Sequence, residues 1–308
     1  MGRFYKDYSD FLAEHFSGKI QKLTVNAGFS CPNRDGTFGR GGCAYCNNVS
    51  FSPSLGGGTV SRQLEEGKRF FEKKYPVMRY LAYFQSYTNT HGPMERLLEL
   101  YREALGVDKV EGLIIGTRPD CVTDRLLDEL THLGKPVFME YGAESANNRT
   151  LEVVNRCHTW EQTADAVRRT AARGIPVGLH FILGLPGETE EDMLRTVERA
   201  LELPLQTIKL HQLQIIKGTP LAAGAVRDGE SGMLTYRGLP VREFTVEEYV
   251  ELCVRIVGLV NRRNPDVAIE RFTSQAPDEL LISPRWGLKN YQFTNLLNRR
   301  LEKAMADG

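Results

Sequence analysis

The chain has 308 residues, of which 41% are hydrophobic, and this is enough to bury a substantial core in one large α/β domain or two smaller ones. Its 39 basic residues balance its 39 acidic ones. This balance excludes a global field that would draw the whole protein to nucleic acid or to an anionic membrane, although it leaves room for a local basic patch.

The amino-terminal stretch has no apolar segment of signal-peptide length, and no later stretch approaches the roughly 20 apolar residues that span a membrane. We therefore expect a cytoplasmic protein that does not engage a membrane. Because cytoplasmic thiols stay reduced, clustered cysteines in such a chain favour metal binding or redox chemistry over disulfides.

Six apolar, strand-like runs alternate with helical patterns after an N-terminal helical extension over residues 1–20. The runs cover residues 22–28, 78–86, 110–117, 135–145, 176–187 and 207–216. Alternation of this kind predicts parallel βα units, and six strands are too few for a complete eightfold barrel. Capping-box spacings that begin at Thr159, Thr189 and Thr245 predict the starts of three helices.

The last part of the chain is less regular. An irregular stretch at 222–240 precedes a predicted helix at about 245–264. We predict a barrel over residues 21–220 and a C-terminal extension over 221–308 that closes the barrel and contributes to substrate binding.

Unusual polar sequences follow the predicted strands. A cysteine-rich loop follows the first strand, QSYTNT the second and TRPDC the third, while EYGAES ends the fourth and GLPGE the fifth. Because the loops at the carboxyl ends of parallel strands converge on one mouth, we expect a single site there. Glu140 and Glu144 share a face of the fourth strand and suggest a polar cavity, since unpaired buried acids are costly.

The cysteine-rich loop carries Cys31, Cys43 and Cys46. Thiolates are soft ligands suited to zinc or to iron–sulfur iron, and the C-x-x-C pair lets two sulfurs reach one centre. A structural zinc site normally has four protein ligands, and no fourth candidate lies nearby in the sequence. A [4Fe–4S] cluster held by three cysteines would leave one iron free for a small molecule, so both centres remain open at this point.

The loop, with Tyr45 directly before Cys46, resembles the cluster-binding loop of the radical S-adenosylmethionine (SAM) superfamily. Its C-x11-C-x2-C spacing is longer than the C-x3-C-x2-C of most members. It resembles a branch that includes the radical SAM domain of the elongator complex's catalytic subunit and the YhcC/YtqA-type proteins. The resemblance covers about residues 20–220 and implies an α/β fold, a partial (βα)6 TIM-like barrel, in agreement with the six predicted strands.

The resemblance also implies roles for individual residues. Cys31, Cys43 and Cys46 would bind three irons of the cluster, and the amino and carboxylate groups of SAM would bind the fourth. Arg156, in a stretch that resembles the Arg-x-His-Thr sequence of this branch, would pair with the SAM carboxylate. The other candidates for binding the cofactor are Tyr45, Gln85, Ser86, Thr88, Thr117, Glu144, Gly184 and Leu185. His180 lies within a strand and is expected either to be a satisfied core histidine or, by strand alternation, to face the barrel interior as a further cofactor-binding candidate.

In this superfamily a reduced cluster passes one electron to SAM, and the resulting 5′-deoxyadenosyl radical removes a hydrogen atom from the substrate. The resemblance therefore implies an electron donor such as flavodoxin or ferredoxin. Two classes of function remain open: a radical SAM enzyme acting on a tRNA base or on a small metabolite, and a non-catalytic barrel that binds zinc or RNA.

The remaining signals are weaker. Basic and aromatic residues interleave over 269–303, as they do in RNA-binding surfaces, but an amphipathic helix that closes the barrel is the favoured interpretation. Cys121, Cys157 and Cys253 lack ligand spacing, and we expect them to be small buried apolar residues. Asp120 is expected either to cap the helix that follows it or to contact a ligand.

Overall fold

The computed structural model describes residues 4–51, 58–73, 75 and 77–306, so the first three residues of the predicted N-terminal extension lie outside the described residues. The strands are β1 (Ile20–Val25), β2 (Arg79–Phe84), β3 (Val110–Thr117), β4 (Val137–Glu144), β5 (Val177–Leu183), β6 (Thr207–Gln212), β7 (Ile215–Ile216), β8 (Ala225–Arg227), β9 (Leu234–Tyr236), β10 (Leu239–Pro240), β11 (Ala268–Arg271) and β12 (Leu281–Ser283). The helices are α1 (Tyr8–His15), α2 (Asn48–Phe51), α3 (Val60–Glu72), α4 (Met94–Leu105), α5 (Asp124–Thr131), α6 (Asn148–Val153), α7 (Trp160–Ala171), α8 (Glu190–Leu201), α9 (Pro220–Gly224), α10 (Val246–Arg263) and α11 (Asn290–Ala306), with a 3₁₀ turn at Pro119–Cys121.

In the described part of the chain, seven strands form one parallel sheet in the order β1-β2-β3-β4-β5-β6-β11. The first six correspond to the six predicted runs, so the α/β partial-barrel prediction is confirmed. The seventh comes from the C-terminal region, which was predicted as a helical extension. Its sequence AIER is four residues long and half charged, and it therefore lacks the apolar signal of the other strands.

The three predicted capping boxes are present. Thr159, Thr189 and Thr245 each accept a hydrogen bond from the backbone N–H three residues later, and the side chain at that position reaches back to the cap. A capping residue of this type stabilises a helix start by about 1 kcal/mol. These caps fix where α7, α8 and α10 begin, and each of these helices buries one apolar face.

Helix α1 fills the amino-terminal end of the barrel. Phe11 is 3% exposed and packs edge-on against Phe138, with ring centroids 5.7 Å apart, in a cluster that also contains Leu81 and Ile114. Aromatic packing of this kind closes the bottom of the barrel and leaves the carboxyl ends of the strands as its open mouth.

The C-terminal region adds small antiparallel pairs to the mouth. β8, β9 and β10 form a three-stranded sheet, and β12 pairs with β7. Of the aromatic residues that suggested an RNA surface, Phe272 and Phe293 are buried, and Trp286 stacks on Phe293 at 5.9 Å. These rings therefore serve the core, whereas Tyr291 is 62% exposed.

Within the residues that the structure describes, no helix combines the length and the apolar character needed to cross a membrane.

Candidate active site

A cavity lies at the carboxyl ends of the sheet strands and collects most of the residues singled out from the sequence. The cysteine loop after β1 forms one wall, and the ends of β2 to β6 and β11 form the others. The predicted site residues in its lining are Cys31, Cys43, Tyr45, Cys46, Gln85, Ser86, Thr88, Thr117, Glu144, Arg156 and His180. Parallel strands thus bring together side chains that are far apart in sequence.

Gly184 and Leu185 do not line this cavity. Leu185 is fully buried in an apolar cluster that packs behind the cysteine loop and includes Cys43 and Tyr45. A Cβ at Gly184 would lie 3.0 Å from the ring of Phe244, because the C-terminal region covers this turn. The predicted contact of these two residues with the cofactor therefore gains no support from the cavity lining.

The cysteine loop is held in shape by hydrogen bonds from its own residues. The N–H of Arg34 donates to the carbonyl of Cys31 at 2.7 Å, and the guanidinium of Arg34 donates to the carbonyl of Cys46 at 2.7 Å. Gly42 has φ +79°, and a Cβ there would lie 2.9 Å from Arg34 Nε, so the turn requires glycine. The loop thereby presents its three sulfurs on one side, toward the cavity.

Two donors point at the most buried sulfur. Cys43 is 3% exposed, and its Sγ lies 3.5 Å from Asn33 Nδ2 and 3.5 Å from Arg156 Nη1. The Arg156 guanidinium thus offers a charged donor to this sulfur. Burial, with Cys43 as the next cause, raises the pKa of the nearby Cys46 thiol to about 11.

The donor set fits an iron–sulfur cluster better than a single ion. Among the described residues, no three His, Cys, Asp or Glu side chains are grouped closely enough to share one metal ion. A cluster places a different iron on each thiolate, so its three ligands need not converge on one point. The loop supplies three such thiols on one wall of the cavity.

Arg156 is a buried cation in the cavity wall that several neighbouring groups hold in place. It is 7% exposed; its Nε donates to His158 Nε2 at 2.9 Å and its Nη2 lies 3.6 Å from Glu144 Oε1. Burial, helped by the charge of Arg156, lowers the pKa of His158 to about 3, so the imidazole is a neutral acceptor. Glu144 has φ +68°, a strained backbone conformation of the kind found at functional sites.

The end of β2 contributes polar atoms without a protein partner. Thr88 Oγ1 and Asn89 Oδ1 are buried and have no hydrogen-bond partner among the described residues. The amide of Asn89 donates to the carbonyls of Phe84 and Gly116 at 2.9 and 2.7 Å, which fixes the turn between β2 and β3. A buried polar atom without a hydrogen-bond partner is unfavourable, and a bound ligand can supply the missing partner. Thr88 lines the cavity, so its hydroxyl is placed to meet such a ligand.

Arg118 is a cavity residue that the sequence analysis missed. Its Nε and Nη2 donate to the carboxylate of Asp120 at 2.9 and 2.7 Å, while its buried Nη1 has no partner in the described residues. The helix that follows is capped by Thr123, so the expectation that Asp120 caps it was wrong. The TRPDC sequence was the available signal.

The other cysteines divide into different environments. Cys253 is fully buried, as expected, and Cys121 is half-buried. Cys157 is exposed, which contradicts the expectation that it is a buried apolar residue. It lies with φ +61° between Asn155 and His158, so the tight turn that positions Arg156 turns it outward.

A network of charged side chains crosses the inside of the barrel, and Tyr83, Glu140 and His180 of this network also line the cavity. Glu140 Oε2 accepts from Tyr83, His180 and Lys209 at 2.8, 2.8 and 3.1 Å. Glu140 Oε1 accepts from Lys22 at 3.0 Å. Burial alone would raise the pKa of Glu140, but Lys209 and Lys22 hold it well below its usual range.

Glu270 completes this network. Its carboxylate binds Lys209 at 2.7 Å and Lys22 at 2.9 Å, so two acids balance two lysines. Lys22 lies on β1 and Glu270 on β11, the two edges of the sheet, and their ion pair joins the edges across the barrel. Burial lowers the pKa of His180, which is therefore a neutral donor to Glu140.

Glu188, in the GLPGE segment, gives a testable pH dependence of stability. It is 8% exposed and bonded to Ser145 Oγ, and burial raises its pKa from 4.5 to about 7. The folded chain therefore holds this proton more tightly than the unfolded chain, and stability is lost as pH rises from 4.5 to 7. We expect Glu188→Gln to remove this loss and to raise the free energy of unfolding above pH 7 by up to about 3 kcal/mol.

Urea unfolding of both proteins across this pH range measures the effect. The exposed Glu152→Gln, in the neighbouring helix α6, is the matched control and should follow the wild-type curve. A constant offset between Glu188→Gln and wild type at every pH would contradict the prediction.

The model of the radical SAM superfamily matches residues 33–200 of this chain, and that of the Radical SAM C-terminal domain matches residues 205–303. The chain is 33% identical over 302 residues to the uncharacterized protein YtqA of Bacillus subtilis, covering 97% of this chain and 89% of that protein. It is 35% identical over 279 residues to protein YhcC of Escherichia coli, covering 89% of this chain and 85% of that protein.

Two further likenesses are more limited. The chain is 29% identical over 112 residues to the tRNA uridine(34) acetyltransferase of Methanocaldococcus jannaschii, covering 35% of this chain and 20% of that protein. The structure of Methanocaldococcus infernus Elp3 with an N-terminal deletion superposes with a TM-score of 0.65 at 16% identity, covering 94% of this chain and 64% of that one. At this identity the likeness is one of fold.

Proposed function

This chain belongs to the radical SAM superfamily of enzymes, and we propose that it uses a [4Fe–4S] cluster on Cys31, Cys43 and Cys46 to cleave SAM reductively and to abstract a hydrogen atom from a substrate bound in the same cavity. The observation that carries the proposal is the meeting of the three sulfurs with polar side chains from several strand ends in one cavity. When bound, cluster and SAM supply a 5′-deoxyadenosyl radical that takes a hydrogen atom from the substrate.

The protein's own residues would bind and orient the cluster and SAM. The cysteine loop places its three thiols on one wall of the cavity, where they would hold the cluster and leave it able to bind SAM. Arg156 is fixed by His158 and offers a cation for that carboxylate. The unpartnered Thr88 hydroxyl, after β2, and the Glu144 carboxylate, at the end of β4, supply polar contacts in the same cavity.

Production of 5′-deoxyadenosine tests the proposal. Anaerobically purified protein, reduced with dithionite and given SAM, is expected to form 5′-deoxyadenosine and to contain about four irons and four sulfides per chain. Flavodoxin or ferredoxin is the proposed physiological electron donor and should replace dithionite. A colourless preparation that contains zinc would instead support the non-catalytic alternative.

The role of Arg156 can be tested separately. Arg156→Lys keeps the charge but loses the planar pair of donors, so we expect SAM to bind about 10- to 100-fold more weakly, as for loss of a charged hydrogen bond. Equilibrium dialysis of SAM against the reconstituted variant measures this, with iron content determined in parallel. The control is the exposed Arg149→Lys, in the preceding helix. Equal affinities of Arg156→Lys and wild type for SAM would rule out the proposed contact.

We propose a tRNA base as the substrate from which the hydrogen atom is taken, with a small metabolite as the alternative. The partial likeness to a tRNA uridine(34) acetyltransferase supports the first. The burial of Phe272 and Phe293 removes two of the stacking residues that an RNA surface over 269–303 would use, which favours the second. Nucleoside profiles of tRNA from cells with and without the gene distinguish them: a missing modified nucleoside supports tRNA, and identical profiles support a metabolite.

A further inference from the structure

We propose that Arg271 and His211 form an oxyanion-binding subsite for the substrate, on the β11 side of the cavity, so that the substrate of the proposed reaction carries a carboxylate or phosphate group. This inference rests on the proposed function, because it assigns two further residues of the same cavity. Both residues line the cavity, and neither was among the predicted cofactor ligands.

An irregularity in β11 directs Arg271 into the barrel. In the pairing of β11 with β6, Ile269 faces Ile208 and Arg271 faces Lys209, so two residues of β11 oppose one of β6. A bulge of this kind turns a side chain from its regular direction and is frequent next to active sites. As a result Glu270 reaches the two lysines inside the barrel, and Arg271 also lines the cavity.

The charge of Arg271 is not balanced by the protein. Arg118 is paired with Asp120 and Arg156 lies 3.6 Å from Glu144, but no carboxylate of the described residues lies within 4.0 Å of the Arg271 guanidinium. Its Nε is buried without a hydrogen-bond partner in the described part of the chain. Arg271 is half-buried, and an anion in the cavity would supply both the counter-ion and the acceptor that Nε lacks.

His211 orients this guanidinium and does not compete with a ligand for it. Arg271 Nη2 donates to His211 Nδ1 at 3.2 Å. Burial and the neighbouring charge of Arg271 lower the pKa of His211 well below its usual range, so the ring is neutral, accepts at Nδ1 and carries its proton on Nε2. A planar guanidinium held in this way matches the two oxygens of a carboxylate or phosphate.

The neighbouring loop keeps the subsite rigid. Gln212 Oε1 accepts from the N–H of Ser274 at 2.8 Å, and Gln212 Nε2 donates to the carbonyl of Ser274 at 3.0 Å. This reciprocal pair ties the segment after β11 to the end of β6.

The test uses the reconstituted, SAM-saturated protein, in which Arg156 is already engaged. Acetate, inorganic phosphate and dimethyl phosphate are titrated at constant ionic strength, and apparent Kd values are taken from the rise in unfolding temperature. We expect at least one probe to bind and Arg271→Gln to weaken it by more than about 10-fold, as for loss of a charged hydrogen bond. Preference for acetate, phosphate or dimethyl phosphate identifies a carboxylate, a phosphomonoester or a phosphodiester such as the RNA backbone.

The exposed Arg227→Gln is the control and should keep the wild-type Kd. Arg271→Lys keeps the charge and should weaken binding by a smaller factor; it also serves if Arg271→Gln does not fold. No binding of any probe to wild type, or equal binding by wild type and both Arg271 variants, overturns the subsite. Formation of 5′-deoxyadenosine by the wild type is measured separately, so failure of the subsite and failure of the proposed reaction are distinguishable.

Discussion

Cys43→Ala is expected to abolish 5′-deoxyadenosine formation and to reduce the bound iron of the reconstituted protein to near background. Cys43 is the most buried of the three loop cysteines, and Asn33 and Arg156 both direct donors to its sulfur. With Ala at this position only Cys31 and Cys46 remain on the loop, and two thiolates cannot hold three corners of a cluster. The buried guanidinium of Arg156 would also lose a partner.

Iron and sulfide assays, together with the broad absorbance at about 400 nm that is typical of such clusters, measure this loss. Cys253→Ala is the matched control, because Cys253 is buried in α10 and does not line the cavity. It should keep its iron and its activity while losing some stability through the small cavity it creates. Full iron and activity in Cys43→Ala would refute the assignment of the cluster ligands, and a zinc-containing wild type would favour the zinc alternative.

The sequence sufficed for the parts of the fold and site that have local signals. The six long strands were visible because each is a buried apolar run between helix-start signals such as Thr189 and Asp192. The cysteine loop could be recognised because three cysteines fall within sixteen positions, from Cys31 to Cys46. The family that this loop predicted is confirmed by the match over residues 33–200.

What the sequence could not supply depends on partners distant in the chain. The ion pair between Lys22 and Glu140 joins positions 118 apart, and lysines in apolar strands gave no indication of where their counter-ions lay. The orientation of Arg271 depends on a shift in strand register that a four-residue strand does not reveal. The family resemblance implied that Gly184 contacts the cofactor. In the structure the ring of Phe244, sixty positions later in the chain, lies against this glycine.

The largest expected effect on stability is that of Glu140→Gln. The change leaves the volume nearly constant but removes one of two carboxylates that balance Lys22 and Lys209, so a buried positive charge remains. Breaking one partner of a buried ion pair costs about 3–5 kcal/mol, whereas an exposed pair contributes under about 1 kcal/mol. Urea unfolding should therefore show a loss of this size for Glu140→Gln and little change for Glu66→Gln, whose exposed carboxylate pairs with Arg62.

A double variant separates loss of charge balance from loss of packing. Glu140→Gln combined with Lys209→Met removes one negative and one positive charge. The interior is then neutral again, because the remaining Lys22 pairs with Glu270. We expect the double variant to lose less stability than the sum of the two single variants, with a coupling energy of about 1–3 kcal/mol. Additive losses, or a loss below about 1 kcal/mol for Glu140→Gln alone, would mean that water or a rearranged Glu270 compensates the lysines. The barrel floor would then not depend on Glu140 for its electrostatic balance.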